Sequence, residues 1–211
     1  MIDHRPLKTP VRNQGDRPTC VGFAIAAAHE WVAADAEIRS AEQAIWAGHQ
    51  IASVPGREET RVAWSLTGLD RHRHASESAW PYGTPHWSIG PPAATSDPAN
   101  SRALPPWRAL PAPRFDDVRS VLEIGDPVIL TVRVVVSAWR TPNGVIDAEP
   151  GRKTPGNHAV VAVAATEQNE APEQVVIKNS WGPHWGDRGY GALSRRYLDH
   201  YTLVAHTLEA A

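Results

Sequence analysis

A run of small and apolar residues near the N-terminus limits what this chain of 211 residues can fold into. From Cys20 to Ala34 the sequence is rich in alanine and also carries Phe23 and Trp31. This composition predicts a helix that is buried over most of its surface, whose alanines let neighbouring elements approach closely. Thr19 is its expected N-cap. The remainder of the chain must pack around this helix.

Cys20 is the one cysteine of the chain and stands at the start of this helix. The first N–H groups of a helix lack intrahelical acceptors and the helix dipole is positive there, so a thiolate is favoured and its pKa lowered. The alternative is a small, buried and inert thiol. One cysteine excludes a disulfide within the chain, and Met1 to Pro6 do not resemble a signal peptide. Together these features favour a reducing, cytoplasmic location.

Helical patterns dominate the first part of the chain. Ser40 opens a capping-box motif ahead of a second helix, which is expected to end near Ser53. Thr60 is expected to cap a third helix, which carries an apolar face formed by Val62, Leu66 and Leu69. The basic end of that helix, from Arg71 to His74, is predicted to be solvated rather than a metal site.

Strand-like patterns dominate the last part. Residues 85–113 are rich in proline, alanine and serine and are predicted to be an irregular connection. Asp116 or Asp117 then caps a short helix that runs to Ile124. The segments predicted as strands are 128–136, 158–166, 174–178, 189–193 and 201–208. Helices followed by strands predict the α+β class.

Three motifs carry the functional signal. They are Gln14-Gly15 with Cys20, Asn157-His158-Ala159-Val160, and Lys178-Asn179-Ser180-Trp181-Gly182. Taken singly, His158 could be a core histidine, Asn179 a turn residue and Gln14 a loop residue. Their order and separations, 138 residues from Cys20 to His158 and 21 from His158 to Asn179, resemble those of the papain-like cysteine peptidases.

The resemblance implies a two-lobe fold with the active site in the cleft between the lobes. Within a single catalytic domain over residues 1–211, it implies a helical lobe over about 12–84, a connection over about 85–113 and an antiparallel, barrel-like β lobe over about 114–211, joined by the arm 1–11. It further implies the hydrolysis of peptide bonds through a covalent thioester intermediate. An acyltransferase or deamidase using the same thiol is an alternative, as is a catalytically silent peptide-binding module.

The resemblance also implies a role for each motif residue. Cys20 is the expected nucleophile and His158 its imidazolium partner, while Asn179 orients the imidazole. Gln14 and the backbone N–H of Cys20 form the expected oxyanion hole. Trp181 resembles the indole that shields the His–Asn hydrogen bond from water in this family.

Two departures from the family pattern concern the walls of the cleft. Arg17 stands where many members have a disulfide cysteine, so that wall must be held by the rigidity of Pro18 or by an ion pair of Arg17. The paired glycines that line the substrate groove in many relatives are not evident. The candidate substrate-binding residues are therefore Glu58, Glu59, Thr60, Asn157 and Trp181.

Charge and length bear on partners. A net charge of −2 gives no electrostatic reason to expect nucleic acid or a membrane surface as a partner. The expected partner is a protein or peptide substrate, with no cofactor and no metal. Since about 13 residues precede Gln14, we expect no inhibitory pro-segment, and a separate regulatory or inhibitory protein is a candidate second partner.

Overall fold

The computed structural model describes residues 2–4, 9–34, 36–111, 113–140, 144–166 and 171–210. Its α-helices are α1 (Cys20–Ala33), α2 (Ala41–Ile51), α3 (Val62–His72), α4 (Phe115–Glu123), α5 (Val136–Trp139) and α6 (Arg195–Tyr201). Short 3-10 turns lie between residues 87 and 100. None of the described helices is both long enough and apolar enough to cross a membrane.

The strands form one large sheet and one small one. They are β1 (Ile2–Asp3), β2 (His74–Ala75), β3 (Ser101–Arg102), β4 (Trp107–Leu110), β5 (Val128–Arg133), β6 (Val145–Ile146), β7 (Asn157–Ala165), β8 (Gln174–Lys178), β9 (Tyr190–Ser194) and β10 (Thr202–Leu208). The large sheet has the order β4-β10-β5-β7-β8-β9-β6, with β1 paired to the end of β7. Its pairs are antiparallel except for β6 with β9. The α+β prediction is confirmed.

Strand β7 is buried on both faces, because it lies between two apolar cores. Val160 and Ala162 face the core formed with α4 and α6, while Ala159 and Val161 face the core formed with α1, α2 and α3. A strand in this position must be apolar at successive positions, as β7 is after its second residue. His158 is therefore held at the edge of a rigid element.

Helix α1 is buried over most of its length and packs on α2 and β7, as the alanine-rich sequence predicts. A Cβ added at Gly22 would lie 2.5 Å from the carbonyl oxygen of Ala41, so α1 and α2 approach too closely for any larger residue there. Thr19 occupies the N-cap position, but its side chain makes no capping bond. Its hydroxyl instead lies 2.7 Å from Oη of Tyr82.

The next two helices agree with the sequence in part. Ser40 caps α2 as expected, accepting a hydrogen bond from the backbone N–H of Gln43 at 3.1 Å. The expectation that Thr60 caps α3 is wrong, since the N-cap position belongs to Arg61 and Thr60 is buried against Gly48. The apolar face of α3 is buried as predicted.

The second part of the chain differs from the sequence patterns at three places. The strand predicted over 128–136 ends at Arg133, and the chain turns into α5. Residues 195–201, for which no helix was predicted, form α6, capped by Ser194. Trp107–Leu110, inside the expected irregular connection, forms β4 and pairs with β10. These elements are short and depend on packing against the sheet, so they have little periodicity of their own.

Candidate active site

Cys20 lies where the first turn of α1 meets the start of β7. Cys20 packs in the same cluster as Val21 and Ala159, and the backbone N–H groups of these two residues and of Cys20 itself favour the charged form of its sulfur. Ala159 directly follows His158, so the packing of α1 on β7 brings Cys20 and His158, which are 138 residues apart, to neighbouring positions.

Burial sets the protonation of the sulfur. Desolvation raises the pKa of the Cys20 thiol, the three backbone N–H groups oppose this rise, and the charge of Glu59 adds to it. The expected lowering of this pKa is therefore wrong for the free protein, because desolvation outweighs the positive end of the helix. Cys20 is a thiol at neutral pH in this state.

His158 is oriented by Asn179. Its Nε2 lies 2.7 Å from Oδ1 of Asn179, which also accepts the backbone N–H of Ser180 at 2.8 Å. Because an amide oxygen only accepts, Nε2 of His158 must carry the proton, which leaves Nδ1 as the acceptor in the neutral ring. Burial lowers the pKa of His158 to about 4, against the opposing effect of Asn179. The imidazole is neutral at neutral pH.

Aromatic rings surround His158. The ring of Trp181 lies 4.6 Å from the imidazole centroid, and that of Trp139 meets it edge-on at 5.5 Å. Trp185 contacts both tryptophans at 5.6 to 5.8 Å. The indole N–H of Trp139 donates to Oη of Tyr197 at 2.7 Å, so this ring is fixed in place. These rings exclude water from His158, which accounts for its low pKa.

Gln14 is buried and both ends of its amide are hydrogen-bonded. Its Oε1 accepts from the hydroxyl of Ser180 at 2.7 Å, and its Nε2 donates to the backbone oxygen of Arg17 at 2.7 Å. Its backbone N–H donates to the backbone oxygen of Ser180 at 2.8 Å. The amide plane is thereby fixed, and one of the two Nε2 hydrogens remains for another acceptor.

Comparison with known proteins identifies the family. The model described as papain family cysteine protease matches residues 2–208. The chain belongs to the papain family.

Individual relatives agree with this. Mouse cathepsin J is 26% identical over 205 residues, which cover 93% of this chain and 60% of that protein. Bovine pro-cathepsin H is 38% identical over 72 residues, which cover 33% of this chain and 21% of that protein. The match thus spans less than two thirds of the length of each of these relatives.

Solved structures show the same fold. Procathepsin L 3 from the larval midgut of Tenebrio molitor superposes with a TM-score of 0.79 at 18% identity, covering 98% of this chain and 69% of that one. Xylellain, a cysteine protease from Xylella fastidiosa, superposes with a TM-score of 0.76 at 20% identity, covering 96% of this chain and 83% of that one. The papain-like fold is therefore shown.

The wall beside Cys20, where many papain-family members have a disulfide, is joined here by charged side chains. The guanidinium of Arg17 donates to both carboxylate oxygens of Glu42, at 2.8 and 2.9 Å, and its Nε donates to Glu58 at 2.9 Å. Burial works against the charge of Arg17, but these bonds outweigh it and raise its pKa. Of the two alternatives left open by the sequence, the structure contains the ion pair.

Glu42 is the buried centre of this charged junction. It is 0% exposed and also accepts the backbone N–H groups of Gly83 at 2.9 Å and Trp87 at 2.7 Å. Burial alone would raise its pKa, but Arg17 and the two N–H groups lower it. Oxygens of Glu42 and Glu58 and a ring nitrogen of His86 lie within 4.8 Å of one another, as metal ligands do. Arg17 already supplies the positive charge at that point.

The candidate substrate-binding residues are separated in the structure. Glu58 belongs to the charged junction, and Thr60 is buried. Glu59 is partly exposed, pairs with Arg57 at 2.8 Å and acts electrostatically on Cys20. Asn157 is exposed beside His158, and Trp181 packs on the imidazole. Their part in substrate binding stays a prediction.

Three residues of the site carried no functional signal in the sequence. Trp139 lies just beyond the segment predicted as a strand, 128–136, and was given no role. Ser180 belongs to a motif but was given no role of its own, and Tyr82 lies far from Cys20 in sequence. Oη of Tyr82 donates to the backbone oxygen of Gln14 at 2.8 Å and lies 2.7 Å from the hydroxyl of Thr19. Tyr82 therefore ties together Gln14 and Thr19, at the two ends of the short segment that leads into Cys20.

Proposed function

We propose that this protein is a cysteine peptidase that hydrolyses peptide bonds through a thioester on Cys20. The observation that carries the proposal is the 2.7 Å bond from Nε2 of His158 to Oδ1 of Asn179, together with the packing of Cys20, at the start of α1, in the same cluster as Ala159, the residue after His158. The proposed mechanism requires Nδ1, the acceptor nitrogen of the imidazole, to face the thiol.

The first half-reaction forms the thioester. The thiol proton of Cys20 passes to Nδ1 of His158 as the sulfur attacks the carbonyl carbon, since burial disfavours separate charges on the resting pair. The carbonyl oxygen becomes an oxyanion that accepts from the backbone N–H of Cys20 and from Nε2 of Gln14. His158 then gives the proton to the nitrogen of the leaving amine, and the C–N bond breaks.

The second half-reaction releases the acid. Nδ1 of His158 removes a proton from water as its oxygen attacks the thioester, and the C–S bond breaks while the proton returns to sulfur. Asn179 stabilises the transient imidazolium in both steps. Ser180 and Arg17 hold the amide of Gln14 in one orientation, so the oxyanion donor is preorganised before reaction.

The test is turnover of a quenched fluorescent peptide library, with products identified by mass spectrometry. Cys20→Ala and His158→Ala are each expected to reduce turnover to background, and the double variant to be little worse, since the two groups act as a unit. Gln14→Ala is expected to lower kcat by about 10²- to 10³-fold with a nearly unchanged KM. The side-chain N–H of Gln14 stabilises an oxyanion that forms only during the reaction.

Gln50→Ala, at an exposed glutamine on α2, is the matched control and should retain full turnover. Products with new carboxyl and amino termini indicate hydrolysis. A peptide that keeps its length but gains glutamate for glutamine indicates a deamidase, and an acyl group found on an added amine indicates a transferase. Full activity of Cys20→Ala would show that the thiol takes no part.

A further inference from the structure

A basic groove lies on the β-sheet side of the molecule, close in the chain to the supports of His158. Its walls are residues 135–137 on one side and 151–153 with Pro155 on the other, and it encloses about 480 Å³. Val135, Val136 and Pro155 give it apolar surface, while Arg152 and Lys153 are the charged residues that line it. We call it the basic groove.

Both walls are attached to elements that position His158. Pro155 precedes His158 by three residues, and the backbone oxygen of Gly156 accepts from the N–H of Val134 at 2.9 Å. The N–H of Val135 donates to Oη of Tyr197 at 3.1 Å, the same oxygen that holds Trp139 against His158. The basic groove is therefore built on the same elements that hold His158.

Arg152 and Lys153 have no acidic partner among the residues that the structure describes. Both residues are exposed, and within the ranges that the structure describes neither forms an ion pair. The acidic residues of the preceding stretch, Asp147 and Glu149, are both paired with Arg196. Because the whole chain has a net charge of −2, the positive groove is a local feature and not a consequence of overall charge.

The backbone of this basic segment is also anchored. The N–H of Arg152 donates to Oη of Tyr201 at 3.0 Å, and that hydroxyl donates in turn to the backbone oxygen of Glu149. Tyr201 is buried and packs on Tyr197 at 4.7 Å. A fixed loop presents its charges with less loss of entropy on binding than a mobile one.

We propose that the basic groove binds an acidic stretch of the protein substrate, so that the enzyme prefers aspartate or glutamate near the scissile bond. The proposal rests on the peptidase function proposed above. Carboxylates pair with the two cations while the apolar walls contact the neighbouring part of the substrate chain. Exposed ion pairs are weak and are screened by salt, so we expect a preference of about tenfold in kcat/KM that weakens as salt is added.

The test compares Arg152→Glu/Lys153→Glu with a matched control, Arg71→Glu/Arg108→Glu, which makes the same change in net charge at exposed positions elsewhere. Cleavage of a positional peptide library should show an acidic preference in the wild type and the control. The groove variant should lose or invert it, with an unchanged Tm. An acidic preference that persists in the groove variant would overturn the inference.

A second measurement separates the inference from the peptidase function. Cys20→Ala protein is titrated with a fluorescein-labelled glutamate-rich decapeptide and with its glutamine counterpart, with and without the groove substitutions. Tighter binding of the acidic peptide that disappears in the groove variant supports the basic groove even if no peptide is cleaved. Cleavage by the wild type, with equal binding of the two peptides, would leave the peptidase proposal standing and overturn this one.

Discussion

Cys20 and His158 are held by different kinds of neighbour. Beside Cys20, the chain is fixed by the charged junction of Arg17, Glu42 and Glu58, which stands in place of a covalent bond. Around His158, it is fixed by the rings of Trp139 and Trp181, which pack on the imidazole, and Trp139 donates its indole N–H to Oη of Tyr197. The junction depends on complete pairing of buried charge, whereas the aromatic cluster depends on packing.

Substitutions in the two regions should therefore have different effects. A buried ion pair adds little stability over apolar packing, but removing one partner leaves a buried charge without compensation and is costly. An aromatic cluster that loses one polar atom keeps its packing. The loss of that polar atom should mainly change the pKa of His158, which the cluster shields from water.

The largest expected effect is at the charged junction. Glu42→Gln leaves Arg17 without its buried carboxylate and is expected to lower the free energy of unfolding by about 3–5 kcal/mol. Arg108→Ala, which breaks the exposed pair with Glu209, is the control and should cost less than about 1 kcal/mol. Urea denaturation measures both, and equal losses in the two variants would contradict a special role for the junction.

The next largest effect concerns the stability of the fold at acidic pH. His74, expected to be solvated at the end of α3, is instead 0% exposed, and its Nδ1 lies 3.0 Å from Nδ1 of His29. That expectation was wrong because β2 carries His74 into the core. Burial lowers the pKa of His29 to about 3 and that of His74 well below its usual value, with Arg39 adding to both shifts.

Histidines of low folded-state pKa destabilise the fold in acid, because the unfolded chain takes up protons that the folded chain cannot. Stability is fully present above pH 6.5 and falls as the pH drops toward 3, by about 2 kcal/mol per such histidine at pH 5. His74→Gln, whose amide can still donate to the backbone oxygen of Ser40, should flatten the fall of unfolding free energy between pH 7 and 5. His184→Gln, at an exposed histidine, should leave it unchanged.

The smallest effect is expected in the aromatic cluster. Trp139→Phe keeps a ring beside His158 but removes the N–H that donates to Tyr197, which should cost about 1 kcal/mol of stability. A smaller ring admits water, so the pKa of His158 should rise from about 4 toward its usual value. The acid limb of kcat/KM then moves to higher pH, whereas in Trp107→Phe, the control on β4, it should stay in place.

Much of the site could be predicted from the sequence because its signals are short and local. The order of Gln14, Cys20, His158 and Asn179 can be read without knowing how the chain packs. The same is true of the short apolar run that predicts β8 at residues 174–178. Elements without a pattern of their own, such as β4, were missed. Their pairing energy comes from strands distant in the chain, here β10.

The sequence by itself determined the family and the buried alanine-rich helix, and it supplied the candidate residues for the proposed chemistry. Only the tertiary structure decided that Arg17 pairs with Glu42 and that His74 is buried. It also decided that burial raises the pKa of Cys20 and lowers that of His158. The reason is physical: desolvation and ion pairing depend on every atom that surrounds a group. Those atoms come from segments as far apart in the chain as α1, β7 and the tryptophan-bearing turns.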